Sequence, residues 1–278
     1  MKNTFYCWPL ALALIMLVTG CQEIPIVIPH SNTGQRNVLV EELTGVRCQN
    51  CPDGTRELVS LQNDLGVDNL IIVSIHAAGG TFSIPFTTAP ANQYDFRFPE
   101  AQTLANFIGS ADGYPTASIN RHLVDGNTSP FSPRSAWPSL INDEFAQDFG
   151  LNLFLNTAYD PATRQLDINL NIAPDQTLAG ENRLTVVITQ DSIVDVQQDG
   201  AVKNPNYIHR HVLRKVVSAP TGDVINEALT ANALVKKTYS LVLPDDFKAE
   251  HCSVVAFVHH SGNPDKDVLQ VTEAHVVQ

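Results

Sequence analysis

The chain has few of the residues that usually announce a function. Its 278 residues contain no G-x-S-x-G, no P-loop, no G-x-G-x-x-G and no H-E-x-x-H. Hydrolase, kinase, dinucleotide-binding and zinc-protease readings therefore have nothing to stand on, and no cofactor is expected. Positive charge is scarce: 17 Lys and Arg against 29 Asp and Glu give a formal net charge of -12. Such a surface repels phosphate backbones and anionic head groups, which excludes nucleic acid as a partner. No apolar run approaches the roughly 20 residues that a bilayer-crossing helix needs. Cysteine is limited to five positions, and that scarcity gives each of them weight.

What is present begins at the N-terminus. Lys2 precedes the apolar run Leu10 to Val18, then Thr19, Gly20 and Cys21. A run too short to span, with small residues after it, reads as a removable signal peptide over residues 1–20. The end of that segment, "VTGC", resembles the lipobox of bacterial lipoproteins, which makes Cys21 the expected lipidated first residue of the mature chain. An acyl anchor holds a protein on a membrane without spanning it, so the expected partner is a lipid bilayer reached through Cys21. Residues 21–36, with two prolines and several polar residues, suit an extended tether. Its reach is at most about 50 Å at ~3.3 Å per residue.

The body after the tether has two halves with different periodicity. Over residues 37–149 the pattern is strand, turn, helix, strand. "NVLVEEL" is β-prone, "PDGTRELVSLQNDLG" carries Leu58, Val59, Leu61 and Leu65 near helical spacing, and "NLIIVSIH" is a continuous apolar strand. Such an order predicts a βαβ unit with parallel strands. A long excursion, residues 77–112, holds a second helical stretch, "PEAQTLANFIGS". "GYPTASINRHLV" is a further β-type run, and "SLINDEFAQDFG" predicts a closing helix.

From residue 150 the period changes to two. Seven β-prone segments follow, "LNLFLNTAY", "QLDINLNIA", "NRLTVVITQ", "YIHRHVLRKVV", "TYSLVLP", "SVVAFVHH" and "DVLQVTEAHVV". Seven short strands in a stretch of this length fit a β-sandwich of immunoglobulin-like size over residues 150–278.

With Cys7 in the signal segment and Cys21 committed to lipid, Cys48, Cys51 and Cys252 remain, and one disulfide plus one free thiol is the simplest arrangement. Cys252 lies beside an apolar run and is expected to be a buried thiol. Cys48 and Cys51 form a C-x-x-C whose reading stays open between a redox pair, a static staple and half of a metal site. The metal reading is the weakest, because zinc wants four ligands and no second C-x-x-C or spaced Cys/His pair stands nearby. His209 and His211 on one strand face, and His259 with His260, do not add the carboxylate spacing that a site would need.

A C-x-x-C at a strand-to-helix junction inside a βαβ unit resembles the thioredoxin arrangement. Glu42, six positions before Cys48, stands where thioredoxins keep an acid, although Glu41 is an alternative inward-facing residue. Pro115 in "YPT" stands where they keep a cis-proline. The segments "EELTGVRCQNCPDG", "GYPT" and "YIHRHVLRK" further resemble the outer-membrane-protein-28-related lipoproteins of Gram-negative bacteria. That resemblance implies an outer-membrane lipoprotein with a thioredoxin-like α/β domain followed by an all-β immunoglobulin-like sandwich.

The implied chemistry is thiol-disulfide exchange on envelope proteins or peptides. Cys48 would be the nucleophile, supported by Arg47 and the helix N-terminus, and Cys51 the resolving thiol. Glu42 would accept the proton, and Pro115 would present backbone to a bound peptide. Arg47, Gln49 and Asn50 replace the residues usual around a redox-active pair, and Pro52 disfavours helical geometry in the residue before it. The alternative is a non-catalytic surface or adhesion lipoprotein whose C-x-x-C is a structural disulfide.

Overall fold

The computed structural model describes Met1 and residues 36–278, apart from 67, 125, 263 and 264. All but the first residue of the expected signal peptide, lipidated Cys21 and all but the last residue of the tether lie outside the described residues. The first half runs β1 (Val38–Leu43), α1 (Cys51–Leu65), β2 (Leu70–Ile75), α2 (Pro99–Ile108), β3 (Thr116–Ile119), β4 (Phe131–Pro133) and α3 (Trp137–Phe145). The second half is strand apart from one 3-10 turn at Ala249–His251: β5 (Leu151–Asp160), β6 (Gln165–Pro174), β7 (Asn182–Gln190), β8 (Ile193–Asp199), β9 (Val202–His209), β10 (Val212–Val216), β11 (Asp223–Val224), β12 (Val235–Val242), β13 (Cys252–His260) and β14 (Val268–His275). The protein is mostly β. No helix among the described residues is long and apolar enough to cross a membrane.

Chain order explains the first half. Strands β1 and β2 are fully buried, and α1 between them provides the crossover that a parallel pair requires. Strand β3 returns antiparallel to β1. Each of the three helices has proline in its first turn, where the missing N–H leaves no broken bond. Helix α1 stops at Gly66, whose φ of 99° lies in the region that favours glycine.

The two halves share one sheet. Its order is β14-β13-β7-β10-β2-β1-β3-β4, with β11 paired to β7. The join is a parallel bridge between Val212 of β10 and Ser74 of β2. One face of this sheet is covered by α2, in a core that mixes Leu39, Ile71 and Leu104 with Val187, Leu213 and Phe257. On the opposite face α1 and α3 cover the first-half strands, through Leu58, Trp137 and Ile141. There the three-stranded sheet β12-β6-β5 covers β7 and β13, which gives the second half its sandwich packing. The expected boundary at 149/150 falls between α3 and β5, yet the sheet and one core cross it.

The sequence reading left out three strands, β4, β8 and β11, and merged two others. "YIHRHVLRKVV" forms the end of β9 and all of β10, with a corner at His211, where φ is +51°. His209 and His211 therefore do not share a strand face. Strand β8 was not anticipated. It pairs with β9 in a separate two-stranded sheet through a two-residue turn at Gly200, whose φ is +56°.

Candidate functional site

The site grows out of the C-terminal end of β1. The chain leaves the strand, turns through residues 44–50 and enters α1 at Cys51. Gly45 is required here, because a Cβ would lie 2.5 Å from the carbonyl carbon and oxygen of Phe82. Cys48 and Cys51 are joined by a disulfide. Asn50 is the N-cap residue, Cys51 opens the helix and Pro52 follows it. Cys48 thus lies in the loop ahead of the helix, with its sulfur bonded to that of the first helical residue.

Arg47 is engaged elsewhere. Its guanidinium donates to the carbonyls of Ile84 at 2.6 Å and Pro85 at 2.7 Å, and it lies over the Phe86 ring. The side chain anchors the 77–98 segment across the loop, so the expected support of a Cys48 thiolate is not its position in the structure.

The β8–β9 hairpin lies over the pair. Gln198 donates its amide to Val46 O at 2.8 Å and Gly200 donates to Gln49 O at 2.9 Å. The Gln197 side chain donates to Cys48 O at 3.1 Å and Gly45 O at 3.2 Å. At the hairpin tip, Asp199 forms an ion pair with Arg56 of α1 at 3.2 Å. The far side is fastened by buried Asp195, whose carboxylate accepts the amides of Gln93 and Tyr94. Under this cover Cys48 is 2% exposed and Cys51 1%.

Beneath the hairpin lies a small pocket with about 10 Å³ of room for water, lined by Cys51, Thr55, Ser74, His76, Tyr207 and His209 among others. That volume is close to the least that holds one water. Among the described residues, both ring nitrogens of His76 and Nε2 of His209 are buried without a hydrogen-bond partner. Burial drives His76 down to about 3 and His209 to about 4, so both rings are neutral near pH 7.

Glu42 and Glu41 are both buried, which removes the choice between them. Glu42 faces α1, and Ser74 Oγ donates to its Oε2 at 3.0 Å. Burial outweighs the Ser74 and Thr55 hydroxyls and raises its carboxyl to about 8. Glu41 faces the other side and pairs with Arg121. The Tyr114–Pro115 bond is cis. A Cβ on Gly54 would meet Pro115 Cβ at 3.0 Å and Glu42 Oε1 at 3.1 Å, so first helical turn, acid and proline converge. Cys252 is a buried free thiol raised to about 12 by burial, which removes it from thiol chemistry near neutral pH.

The residues that sequence reasoning missed are Ser74, Thr55, His76, Asp195, Gln197 and Tyr207, while His209 was weighed only as a metal ligand. The available signal was Asp199-Gly200 between "SIVDVQQ" and "VKNPNYIH", an Asp-Gly turn flanked by alternating segments.

A family model described as "Outer membrane protein Omp28" matches residues 101–278, more than half of the chain. The chain belongs to the Omp28 family. Membership places it at the outer membrane. No curated protein matches it. The structure is similar to "HBP35 of Porphyromonas gingivalis", with a TM-score of 0.68, 17% identity, 87% of this chain covered and 76% of that one. At this identity the likeness concerns the fold. A domain of the outer membrane lipoprotein Omp28 from Porphyromonas gingivalis matches with a TM-score of 0.33 and 20% identity, over 46% of this chain and 88% of that one.

Proposed function

We propose that this Omp28-family protein is a lipid-anchored outer-membrane module, thioredoxin-like in its first half and immunoglobulin-like in its second, whose Cys48–Cys51 bond is a closed disulfide in the resting state. Its role in that state is binding or scaffolding at the envelope rather than turnover. The observation that carries this reading is the β8–β9 hairpin, bonded through Gln197, Gln198 and Gly200 to the cysteine loop. A nucleophilic thiolate must reach a partner disulfide, and a pair 2% and 1% exposed offers no approach. Trapping tests this. With Cys51→Ser in the envelope, Cys48 should capture no partner, and the wild type should not reduce insulin. Capture of a defined client would overturn the reading. The anchor has its own test: Cys21→Ala should release the protein from membranes, and retention would remove the lipid claim.

A second reading, thiol-disulfide exchange on envelope proteins, is favoured by one observation, the raised Glu42 beside the first turn of α1. In that reading the reduced pair starts as Cys48 thiolate and Cys51 thiol. Cys48 attacks a client disulfide and releases one client thiolate. Cys51 gives its proton to the Glu42 carboxylate and attacks Cys48 Sγ, releasing the second client thiolate. The client gains two electrons and the pair ends oxidised.

A further inference from the structure

The hairpin that closes the disulfide is held next to two buried histidines with unpartnered ring nitrogens. His76 follows β2, and His209 ends β9. Their ring centroids are 6.2 Å apart, and Phe96 sits against both, at 4.9 and 5.0 Å. Tyr207 packs on His209 at 4.8 Å. We propose that the β8–β9 hairpin is an acid-released latch: protons taken up by His76 and His209 lift it from residues 44–50 and open the Cys48–Cys51 bond to external reductants. The latch operates whether the pair is structural or exchanges with clients, since it governs only when the bond can be reached.

Three observations carry this. A protonated imidazole needs acceptors at both nitrogens, and three of the four ring nitrogens here have none among the described residues. The pocket has room for about one water, too little to hydrate two cations. One of the histidines belongs to the hairpin itself, so hydrating it moves the end of β9 away from His76 and Phe96. Two charged rings at this separation, both buried, also repel one another.

The neighbouring charges do not supply a remedy. Asp95 of the 77–98 segment attracts a proton on His76, but it is partly exposed and already paired with Arg97. Asp195 of β8 attracts a proton on His209, but its carboxylate is taken by the amides of Gln93, Tyr94 and Val196. Arg210 lines the pocket and adds positive charge. His211, at the β9–β10 corner, faces Asp191 at 3.5 Å, outside the pocket. Glu42 has the opposite sign of response, because its raised carboxyl favours the closed state as pH falls. Its Oε1 lies near Gly54 of α1, and Tyr207 of β9 shares the Thr55 hydroxyl with it, so whatever cover opening removes, Glu42 opposes acid release and does not cause it.

The sign follows from linkage. Closed, the two rings bind protons only below about 4. Open, they titrate near the ordinary ~6.5, so the latch is fully closed above that value and weakens as pH falls through it. One unit below, each histidine favours the open form by about tenfold, and the two together by about a hundredfold.

The test is the rate at which the full-length protein's disulfide is reduced by a phosphine, followed by alkylation, at pH ~7.5 and ~5.5. The oxidised peptide GVRCQNCPDG corrects for the reductant's own pH dependence. The corrected rate should rise about a hundredfold on acidification in the wild type and about tenfold in either His76→Phe or His209→Phe. It should stay flat in the double variant and rise undiminished in Glu42→Gln. A wild-type ratio within twofold, or an acid response that survives in the double variant, overturns the latch. Should the histidine variants misfold, amide exchange on the wild type decides. Gln198 and Gly200 should lose protection at pH ~5.5 after intrinsic correction while β13 amides keep theirs, and no selective loss refutes the proposal.

Discussion

Glu41 and Glu42 follow one another on β1 and are buried alike, 1% and 0% exposed, yet strand alternation sends them to opposite faces of the sheet. Glu41 turns toward α2 and the second-half strands. There Arg121 meets it with two bonds of 2.7 Å, and the guanidinium lies against the Phe257 and Phe107 rings at 4.8 and 5.5 Å. Glu42 turns toward α1 and finds only hydroxyls, from Ser74 and Thr55. One carboxylate is satisfied by a matched cation in a planar fork. The other is left in a place where burial dominates, and its chemistry is shifted as a result. The difference separates a carboxylate that ties the two halves of the molecule together from one held beside the cysteine loop and able to take up or release a proton near neutral pH.

The largest way to break this comparison is to remove the cation. Arg121→Met should destabilise the protein by roughly 3–5 kcal/mol in urea unfolding, because an uncompensated carboxylate stays buried on the Glu41 face. Adding Glu41→Met should recover most of that loss, since an apolar pair of similar volume has no charge to desolvate. If the double replacement is as unstable as the single one, the pair matters through packing of Arg121 on Phe257 and not through charge.

Glu42→Gln should act in the opposite direction and only in part of the pH range. The folded state binds the Glu42 proton more tightly than the unfolded chain. Its contribution is therefore complete below the ordinary carboxylate value and is lost as pH rises toward about 8. Unfolding measured from pH ~5 to ~8 should show the wild type falling behind the Gln variant by about 1.4 kcal/mol per pH unit at most, a few kcal/mol in total. Parallel profiles would mean that Glu42 titrates normally.

This contrast also marks how far the sequence could be read. Local pattern was enough for β1, α1, β2, α2 and α3, because apolar spacing, proline in the first turn and Gly66 all act within a few residues. Cys48, Cys51, Glu42 and Pro115 could be named for the same reason: they sit at fixed offsets from a strand end. The partners that decide their behaviour could not, because they arrive from far along the chain. Arg121 is 80 residues from Glu41, and Gln197 is 149 from Cys48. The one local signal for the cover, Asp199-Gly200, was masked by Pro205 and by the run of polar residues in β9, where a register shift opposite Asp195 to Gln197 breaks the alternation. The shared sheet was hidden in the same way, since the join through Val212 and Ser74 leaves no trace in periodicity.

The finest test changes one hydroxyl on the Glu42 face. Ser74 Oγ donates to Oε2 and opposes the burial effect, because a hydroxyl donor favours the carboxylate over the acid. Ser74→Ala should therefore push Glu42 further up by less than one unit, which corresponds to about 1 kcal/mol lost above pH ~8 and less below it, where the acid form needs the donor least. The readout is the midpoint of the stability difference between Ser74→Ala alone and the same variant carrying Glu42→Gln. That midpoint should sit above the wild-type one. A midpoint moved downward would mean that water admitted by the lost hydroxyl hydrates Glu42 better than Ser74 does, and the carboxyl would then owe its shift to the tightness of the site more than to its missing cation.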